Sequence, residues 1–179
     1  MDGESLSSNR YVVDDTSLTI TDTPDQFDLE IETLVNPTAN TSLSGLYQSG
    51  GMLCTQCEAE GFRRITYFLD RPDVLARYRV TIRADREQCP VVLSNGNRIE
   101  QRELSDGRHE VVWQDPFPKP SYLFALVAGN LSCHRGTFVT QSGRDVALEI
   151  WVDGQLSKLE LLELKSAMTW LLTLLGTFM

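Results

Sequence analysis

Two thiols, two carboxylates and one amide lie close together in a short run of the sequence, Cys54-Thr55-Gln56-Cys57-Glu58-Ala59-Glu60. Its two cysteines have the C-x-x-C spacing of zinc knuckles and thiol oxidoreductases. A structural zinc needs four ligands, and the sequence holds no second C-x-x-C and no suitably spaced histidine pair. A thioredoxin-like site needs a βαβ surround, which the pattern lacks. We therefore expect free, buried thiols, with zinc binding and redox chemistry as the alternatives.

The polar residues Gln56, Glu58 and Glu60 of this run precede apolar residues with helical spacing, which predict a helix over residues 58–69. Acidic residues in a first helical turn complement the helix dipole by roughly 0.3–1 kcal/mol each. A carboxylate and an amide at a loop-to-helix corner could instead hold a cationic ligand. Residue chemistry favours the capping interpretation and leaves the ligand site as the alternative.

No complete catalytic or metal-binding constellation occurs in the sequence. The only two histidines are His109 and His134, and there is no H-E-x-x-H, G-x-S-x-G, P-loop or G-x-G-x-x-G motif. We therefore predict no catalytic residue and no metal ligand in this chain. The net charge of −9 argues against a sequence-independent grip on nucleic acid, because phosphate contacts need clustered Lys and Arg.

Both ends of the chain bear on its location. The opening Met1-Asp2-Gly3-Glu4 is acidic and does not predict a secretory signal. The apolar run at residues 171–179 is too short for a bilayer, which needs about 20 residues. Four cysteines in 179 residues do not indicate a disulfide scaffold. We expect a cytoplasmic protein without membrane contact.

The elements that must position the polar run are mainly short strands. Alternation and turn signals predict strands or hairpins at residues 26–32, 78–84, 91–93, 98–104 with 108–114, 122–128, and 137–140 with 146–152. Residues 45–51 read as a Gly/Ser-rich break, and residues 116–120 as irregular because of three prolines. A Leu-, Lys- and Glu-rich segment predicts a helix over residues 156–175. The fold class is mainly β, an antiparallel sandwich or bent sheet followed by a C-terminal helix.

Residues 45–74, with Thr-Gln-Cys-Glu-Ala-Glu-Gly-Phe-Arg at positions 55–63, resemble the signature run of the bacterial aminopeptidase N family of zinc metalloaminopeptidases. The similarity continues in four later segments, at residues 93–98, 113–120, 122–129 and 142–149. It is dense over residues 40–153 and loose over residues 1–40. A match of this length and order is more specific than any short motif.

The resemblance implies a piece of a multidomain exopeptidase that removes N-terminal residues from peptides. Residues 1–153 would form a saddle-like N-terminal β-domain, incomplete at its N-terminus, and residues 154–179 the truncated start of a thermolysin-like catalytic domain. By position, Glu58 matches the family's acidic residue that binds the substrate's free α-amino group. Gln56 matches a neighbour that lines the pocket for the first side chain.

The resemblance also implies what this chain lacks. The family's G-A-M-E-N loop, its zinc ligands with their general base and its transition-state tyrosine would all follow residue 179, so zinc and peptide substrates belong to the parent enzyme. We expect the chain alone to be inactive. An unpaired sheet edge and the Leu-rich tail should favour self-association. The alternative function is a non-enzymatic β-sandwich that serves as an interaction module.

Overall fold

The computed structural model describes residues 1–154 and residue 163. This part of the chain contains eleven strands and three single turns of 3-10 helix. The strands are β1 (Tyr11–Val13), β2 (Leu18–Ile20), β3 (Gly45–Ser49), β4 (Met52–Gln56), β5 (Ala76–Asp85), β6 (Val91–Ser94), β7 (Asn97–Glu103), β8 (Arg108–Lys119), β9 (Leu126–Gly129), β10 (Leu131–Val139) and β11 (Asp145–Asp153). The 3-10 turns are Pro37–Ala39, Phe62–Arg64 and Ser121–Leu123.

The strands form four antiparallel sheets. Two are two-stranded ribbons, β1–β2 and β10–β11. A four-stranded sheet has the order β3-β4-β9-β6, and a three-stranded sheet has the order β5-β8-β7. The predicted mainly β, antiparallel fold is therefore confirmed. The predicted helix of residues 156–175 lies almost wholly outside the described residues.

The core lies between the two larger sheets. Val92 of β6 and Ala128 of β9 pack against Val111 of β8, and all three are buried. The Trp113 indole N–H crosses from β8 to donate to the Val92 carbonyl at 3.2 Å. Strand β5 turns one face towards the core and the other towards solvent, because its even-numbered residues are half-buried and its odd-numbered residues are exposed. The arrangement is a sandwich in which each larger sheet buries one face against the other.

Several local predictions are confirmed. The alternating residues 78–84 lie in β5, and the hairpin around Asp106-Gly107 joins β7 to β8. The hairpin around Ser142-Gly143 joins β10 to β11 in continuous register. Asn95-Gly96 makes the predicted turn after β6, with Gly96 at φ +83°. At each of the three turns a glycine has positive φ, namely Gly96, Gly107 and Gly143.

The predicted helix over residues 58–69 is wrong. Strand β4 ends at Gln56, and the only helical turn between β4 and β5 is the 3-10 turn Phe62–Arg64. The apolar residues at helical spacing are gathered into an aromatic cluster instead, in which Phe62 meets Phe68 with ring centroids 5.3 Å apart. The backbone N–H of Arg63 donates to the Asp70 carboxylate rather than to a helical carbonyl. Tertiary packing overrides the local pattern here.

The predicted irregular stretch at residues 116–120 is also wrong, because β8 continues through Pro116 and Pro118 to Lys119. Pairing of β8 with β7 stops at Gln114, so the prolines lie where only β5 is a neighbour. The β5–β8 register shifts between Ala76 and Tyr78, at the same level. Prolines are tolerated at such edges and irregularities, since a ladder donor is not needed there.

Three further predictions need correction. The supposed break at residues 45–51 is strand β3 followed by the Gly50-Gly51 turn into β4. Residues 26–32 form no strand, because no neighbouring strand pairs with them; Asp28 exchanges hydrogen bonds with Asp2 at 2.7 and 2.9 Å. Of the run 122–128, only the second half is a strand, β9 between β4 and β6.

The turn at Gly96 provides a stability test. A Cβ at this position would lie 2.2 Å from the Gln114 carbonyl oxygen, and the backbone has positive φ. We expect Gly96→Ala to lower the free energy of unfolding by about 3 kcal/mol or more, through strain and a backbone clash together. Urea unfolding followed by circular dichroism measures the loss. Gly107→Ala is the matched control: it has φ +81° but no atom near the added Cβ, and should lose about 1–2 kcal/mol. Equal losses would contradict the clash.

Candidate functional site

Gln56 and Glu58 lie together at an exposed corner where β4 ends. Gln56 is the last residue of β4, opposite Gly45 of β3, and Glu58 follows in the turn beyond it. The Gln56 side-chain amide donates to the Glu58 backbone carbonyl at 3.2 Å, and the peptide bond from Glu58 to Ala59 is cis. Both side chains are exposed. The corner is a strand-to-turn junction and not the predicted start of a helix.

The capping interpretation of the acidic residues is therefore wrong. The 3-10 turn Phe62–Arg64 is preceded by Gly61, makes no side-chain cap hydrogen bond and has no acidic residue in its first turn. Glu60 pairs instead with Arg63, its Oε2 3.4 Å from the Arg63 guanidinium. In the part of the chain that the structure describes, no Lys or Arg forms an ion pair with Glu58. The Glu58 side chain is thus exposed and has no charge partner among the residues that the structure describes.

The segment of residues 56–61, here the anchor loop, closes on itself through Gly61. The Gly61 N–H donates to the Cys57 carbonyl at 2.8 Å. A Cβ on Gly61 would lie 2.2 Å from the Gln56 carbonyl oxygen and 2.9 Å from the Cys57 Cα. Only glycine therefore permits this approach of the two ends of the loop.

Cys57 is buried beneath the anchor loop while its neighbours on both sides are exposed. Burial, with a smaller effect of the Asp70 carboxylate, raises the pKa of the Cys57 thiol to about 11. A reactive or metal-binding cysteine has a lowered pKa, so Cys57 has the properties of a packing residue. All four cysteines are free. The described residues contain no group of three or more His, Cys, Asp or Glu that could hold a metal ion.

A buried carboxylate, Asp70, fixes the chain just beyond the anchor loop. Its side chain is 3% exposed and accepts from the Arg63 backbone N–H at 3.0 Å and from Arg63 Nε at 3.1 Å. The Ser121 hydroxyl donates to its other oxygen, and Arg63 also donates to the Asp70 carbonyl at 2.8 Å. Burial pushes the pKa of Asp70 up, but the hydrogen bonds from Ser121 and Arg63 outweigh it and hold the pKa below its ordinary value.

Four aromatic rings pack next to this carboxylate. Phe62 lies 5.2 Å from Phe124, 5.3 Å from Phe68 and 6.2 Å from Tyr78, each in an edge-to-face arrangement. Burial, reinforced by Asp70 and Cys57, raises the pKa of Tyr78. The cluster joins the 3-10 turn to β5 and to the segment before β9.

Sequence analysis singled out Gln56 and Glu58 and gave no role to Asp70 or Ser121. Asp70 directly follows the predicted helix of residues 58–69, and Ser121 lies 51 residues further along the chain. No spacing rule links two residues so far apart. The only local signal was an acidic residue between an apolar segment and Arg71-Pro72, a pattern that is common at ends of elements.

Asp70 predicts an acid dependence of stability. Because its pKa in the folded protein is lowered, its contribution is complete above the unfolded pKa of about 3.9 and disappears as the pH falls through the folded value. We expect the free energy of unfolding to decline more steeply below about pH 4 in the natural sequence than in Asp70→Asn, as measured by urea unfolding. Asp73→Asn removes an exposed carboxylate paired with Arg71 and should change the slope less, since water screens that pair. Identical slopes for the natural chain and Asp70→Asn would contradict this role.

No helix in the described part of the chain has the length and hydropathy of a membrane span.

Comparison with known proteins gives a consistent result. Residues 5–123 match the family model described as the Peptidase M1 N-terminal domain. The chain is 59% identical over 157 residues to Aminopeptidase N of Escherichia coli (strain K12), covering 86% of this chain and 18% of that protein. It is 57% identical over 174 residues to Aminopeptidase N of Haemophilus influenzae, covering 94% of this chain and 20% of that protein. The chain thus spans about a fifth of the length of these relatives.

Solved structures agree with the sequence relatives. The crystal structure of Legionella pneumophila aminopeptidase A in complex with aspartic acid aligns with a TM-score of 0.78 and 42% identity, over 86% of this chain and 18% of that one. An M1 zinc metallopeptidase mutant from Deinococcus radiodurans bound to a Tyr-Ser-Ala substrate aligns with a TM-score of 0.55 and 19% identity, over 64% of this chain and 26% of that one. The second likeness concerns the fold alone.

Proposed function

The chain belongs to the M1 peptidase family, as part of its N-terminal domain, and on that premise we propose that it supplies the substrate-amine anchor of a zinc aminopeptidase. Glu58 accepts hydrogen bonds from the α-ammonium group of a peptide, and Gln56 lines the pocket for the first side chain. The observation that carries the proposal is the exposed carboxylate of Glu58, which has no ion-pair partner among the described residues, on a tightly closed loop beside Gln56.

The chemistry of such an anchor is positional. A carboxylate that accepts from an ammonium group forms a charge-assisted bond worth about 1.5–3 kcal/mol. Holding the amine at a fixed point lets only the first peptide bond reach the reacting centre, which restricts cleavage to the N-terminal residue. The Gln56 side-chain amide donates to the Glu58 backbone carbonyl at 3.2 Å, which ties the Gln56 side chain to the backbone that carries Glu58.

The domain assignment and the metal follow from the same proposal. Residues 1–153 belong to the N-terminal β-domain, and residues 154–179 to the start of the catalytic domain. Zinc does not fit the described residues, which offer no cluster of ligands, and would be held by the catalytic domain. The four free thiols support a reducing, cytoplasmic location.

The first test concerns the chain alone. We expect no hydrolysis of leucyl-arylamide by the 179-residue chain supplied with zinc, because the sequence contains no H-E-x-x-H motif. Release of the arylamine is followed by absorbance, with Escherichia coli Aminopeptidase N as the positive control. Saturable turnover that co-purifies with the chain would overturn the proposal that it contributes binding only.

The second test needs a complete enzyme, here called the hybrid enzyme: Escherichia coli Aminopeptidase N whose matched segment is replaced by that of this chain. We expect Glu58→Gln to lower kcat/KM for leucyl-arylamide by about ten- to a hundredfold, since a charge-assisted bond becomes a neutral one. The loss should be specific for the amine. We define amine selectivity as the inhibition constant of 4-methylpentanamide divided by that of leucinamide, two inhibitors that differ only in the amino group.

Amine selectivity should fall in Glu58→Gln by the same factor as kcat/KM. Glu103→Gln is the matched control, because Glu103 is an exposed carboxylate on β7 paired with Arg86. It should leave amine selectivity unchanged. If Glu58→Gln kept full amine selectivity, the anchor would have to be another residue.

A further inference from the structure

We propose that Asp70 is a positioning residue for the amine anchor: its buried carboxylate holds the anchor loop in the conformation that presents Glu58. This inference rests on the proposed function of Glu58 and deepens it. Asp70 does not touch the substrate in this proposal. It acts through Arg63 and through the backbone that follows the anchor loop.

The Asp70 carboxylate has a hydrogen-bond donor on each of its two oxygens. Both carboxylate oxygens are used, one by two donors of Arg63 and the other by the Ser121 hydroxyl. A buried carboxylate without donors would be strongly unfavourable, so the loss of any partner is resisted. The segment that carries Arg63 therefore has one favoured position relative to Ser121, which is itself fully buried.

Only a short stretch of chain, residues 59–62, separates Arg63 from Glu58. Arg63 contacts Glu60 at 3.4 Å through its guanidinium while its backbone N–H is held by Asp70. Gly61, between them, is locked against Gln56 and Cys57 by a contact that admits no side chain. Because only Gly61 and Phe62 link Glu60 to Arg63, and the Gly61 backbone packs directly on Gln56 and Cys57, we expect a displacement of Arg63 to move the anchor loop.

The two ends of the anchor loop are held by different kinds of contact. On the side of β4, Thr55 Oγ1 accepts from the Leu126 backbone N–H at 2.8 Å, so the loop begins from a fixed sheet. On the other side, no strand follows until Ala76, and the contacts of the Phe62 ring are non-directional. Directional restraint on this side comes from the three hydrogen bonds that the Asp70 carboxylate accepts and from one exposed bond, in which the Thr33 hydroxyl donates to the Ile65 carbonyl at 2.9 Å. The precision of a binding group depends on such supporting contacts.

The test uses Asp70→Asn in the hybrid enzyme, with Asp73→Asn as the matched control. Asparagine keeps the shape but removes the charge and one acceptor oxygen. We expect Asp70→Asn to lower amine selectivity by about three- to thirtyfold, with little change in the inhibition constant of 4-methylpentanamide. Asp73→Asn should leave both inhibition constants unchanged. A purely structural role would reduce the amount of active enzyme, which active-site titration corrects, and would leave amine selectivity intact.

A double variant separates the two proposals. If Asp70 acts through Glu58, Asp70→Asn costs no further amine selectivity in a Glu58→Gln background. Additive losses, or full amine selectivity in Asp70→Asn, would overturn the positioning role while leaving the anchor intact. If Glu58→Gln alone keeps full amine selectivity, the anchor itself is wrong.

A second measurement does not depend on catalysis. In two-dimensional amide NMR of the 179-residue chain, Asp70→Asn should shift the signals of residues 57–61, and Asp73→Asn should not. Unshifted signals would contradict the positioning role whatever the kinetics show. Should Asp70→Asn fail to fold, Ser121→Ala removes one donor alone and should give a smaller loss of the same sign in both measurements.

Discussion

A carboxylate that is removed from water must find donors for its oxygens within the protein, and this requirement organises the region around the candidate site. Asp70 finds its donors on a turn seven residues before it and on a hydroxyl 51 residues after it. The chain between β4 and β5 has no strand and no α-helix to define its path. This carboxylate and the aromatic rings that surround Phe62 connect the segment to Ser121, to Tyr78 of β5 and to Phe124.

The sandwich supplies the fixed points for that carboxylate. Ser121 lies between β8 and β9, the two strands through which the larger sheets meet around Val111 and Ala128. Strand β9 also holds β4 in place, by two register pairs and by the Thr55 hydroxyl bound to the Leu126 backbone. The core therefore fixes both the start of the anchor loop and the donor that stabilises its far side. A surface loop becomes rigid by connection to the core rather than by its own secondary structure.

Sequence patterns predicted the parts of this structure that depend on near neighbours. The alternation in β5 and the hairpin at Asp106-Gly107 follow from contacts within a few residues, and both are confirmed. The helix predicted over residues 58–69 does not form, because Phe62 of this segment packs against Phe124, which is distant in the sequence. The prolines of β8 led to a wrong prediction of irregular structure for a similar reason. A strand can accommodate them here because pairing with β7 has already ended at Gln114. The residue pattern of one segment carries no information about where a segment distant in the sequence will pack.

The same limit explains why residue chemistry favoured capping for Glu58. An acidic residue before a helix has a structural use, and that use was inferred from a helix that does not form. With the cap absent and Glu60 paired to Arg63, Glu58 is left as a charged group without a structural partner among the described residues. Yet the loop that carries it is restrained, because it closes tightly at Gly61 and the Arg63 N–H that follows it donates to Asp70. An ordinary surface carboxylate needs no such restraint, whereas a group that must meet a ligand's charge at one point does.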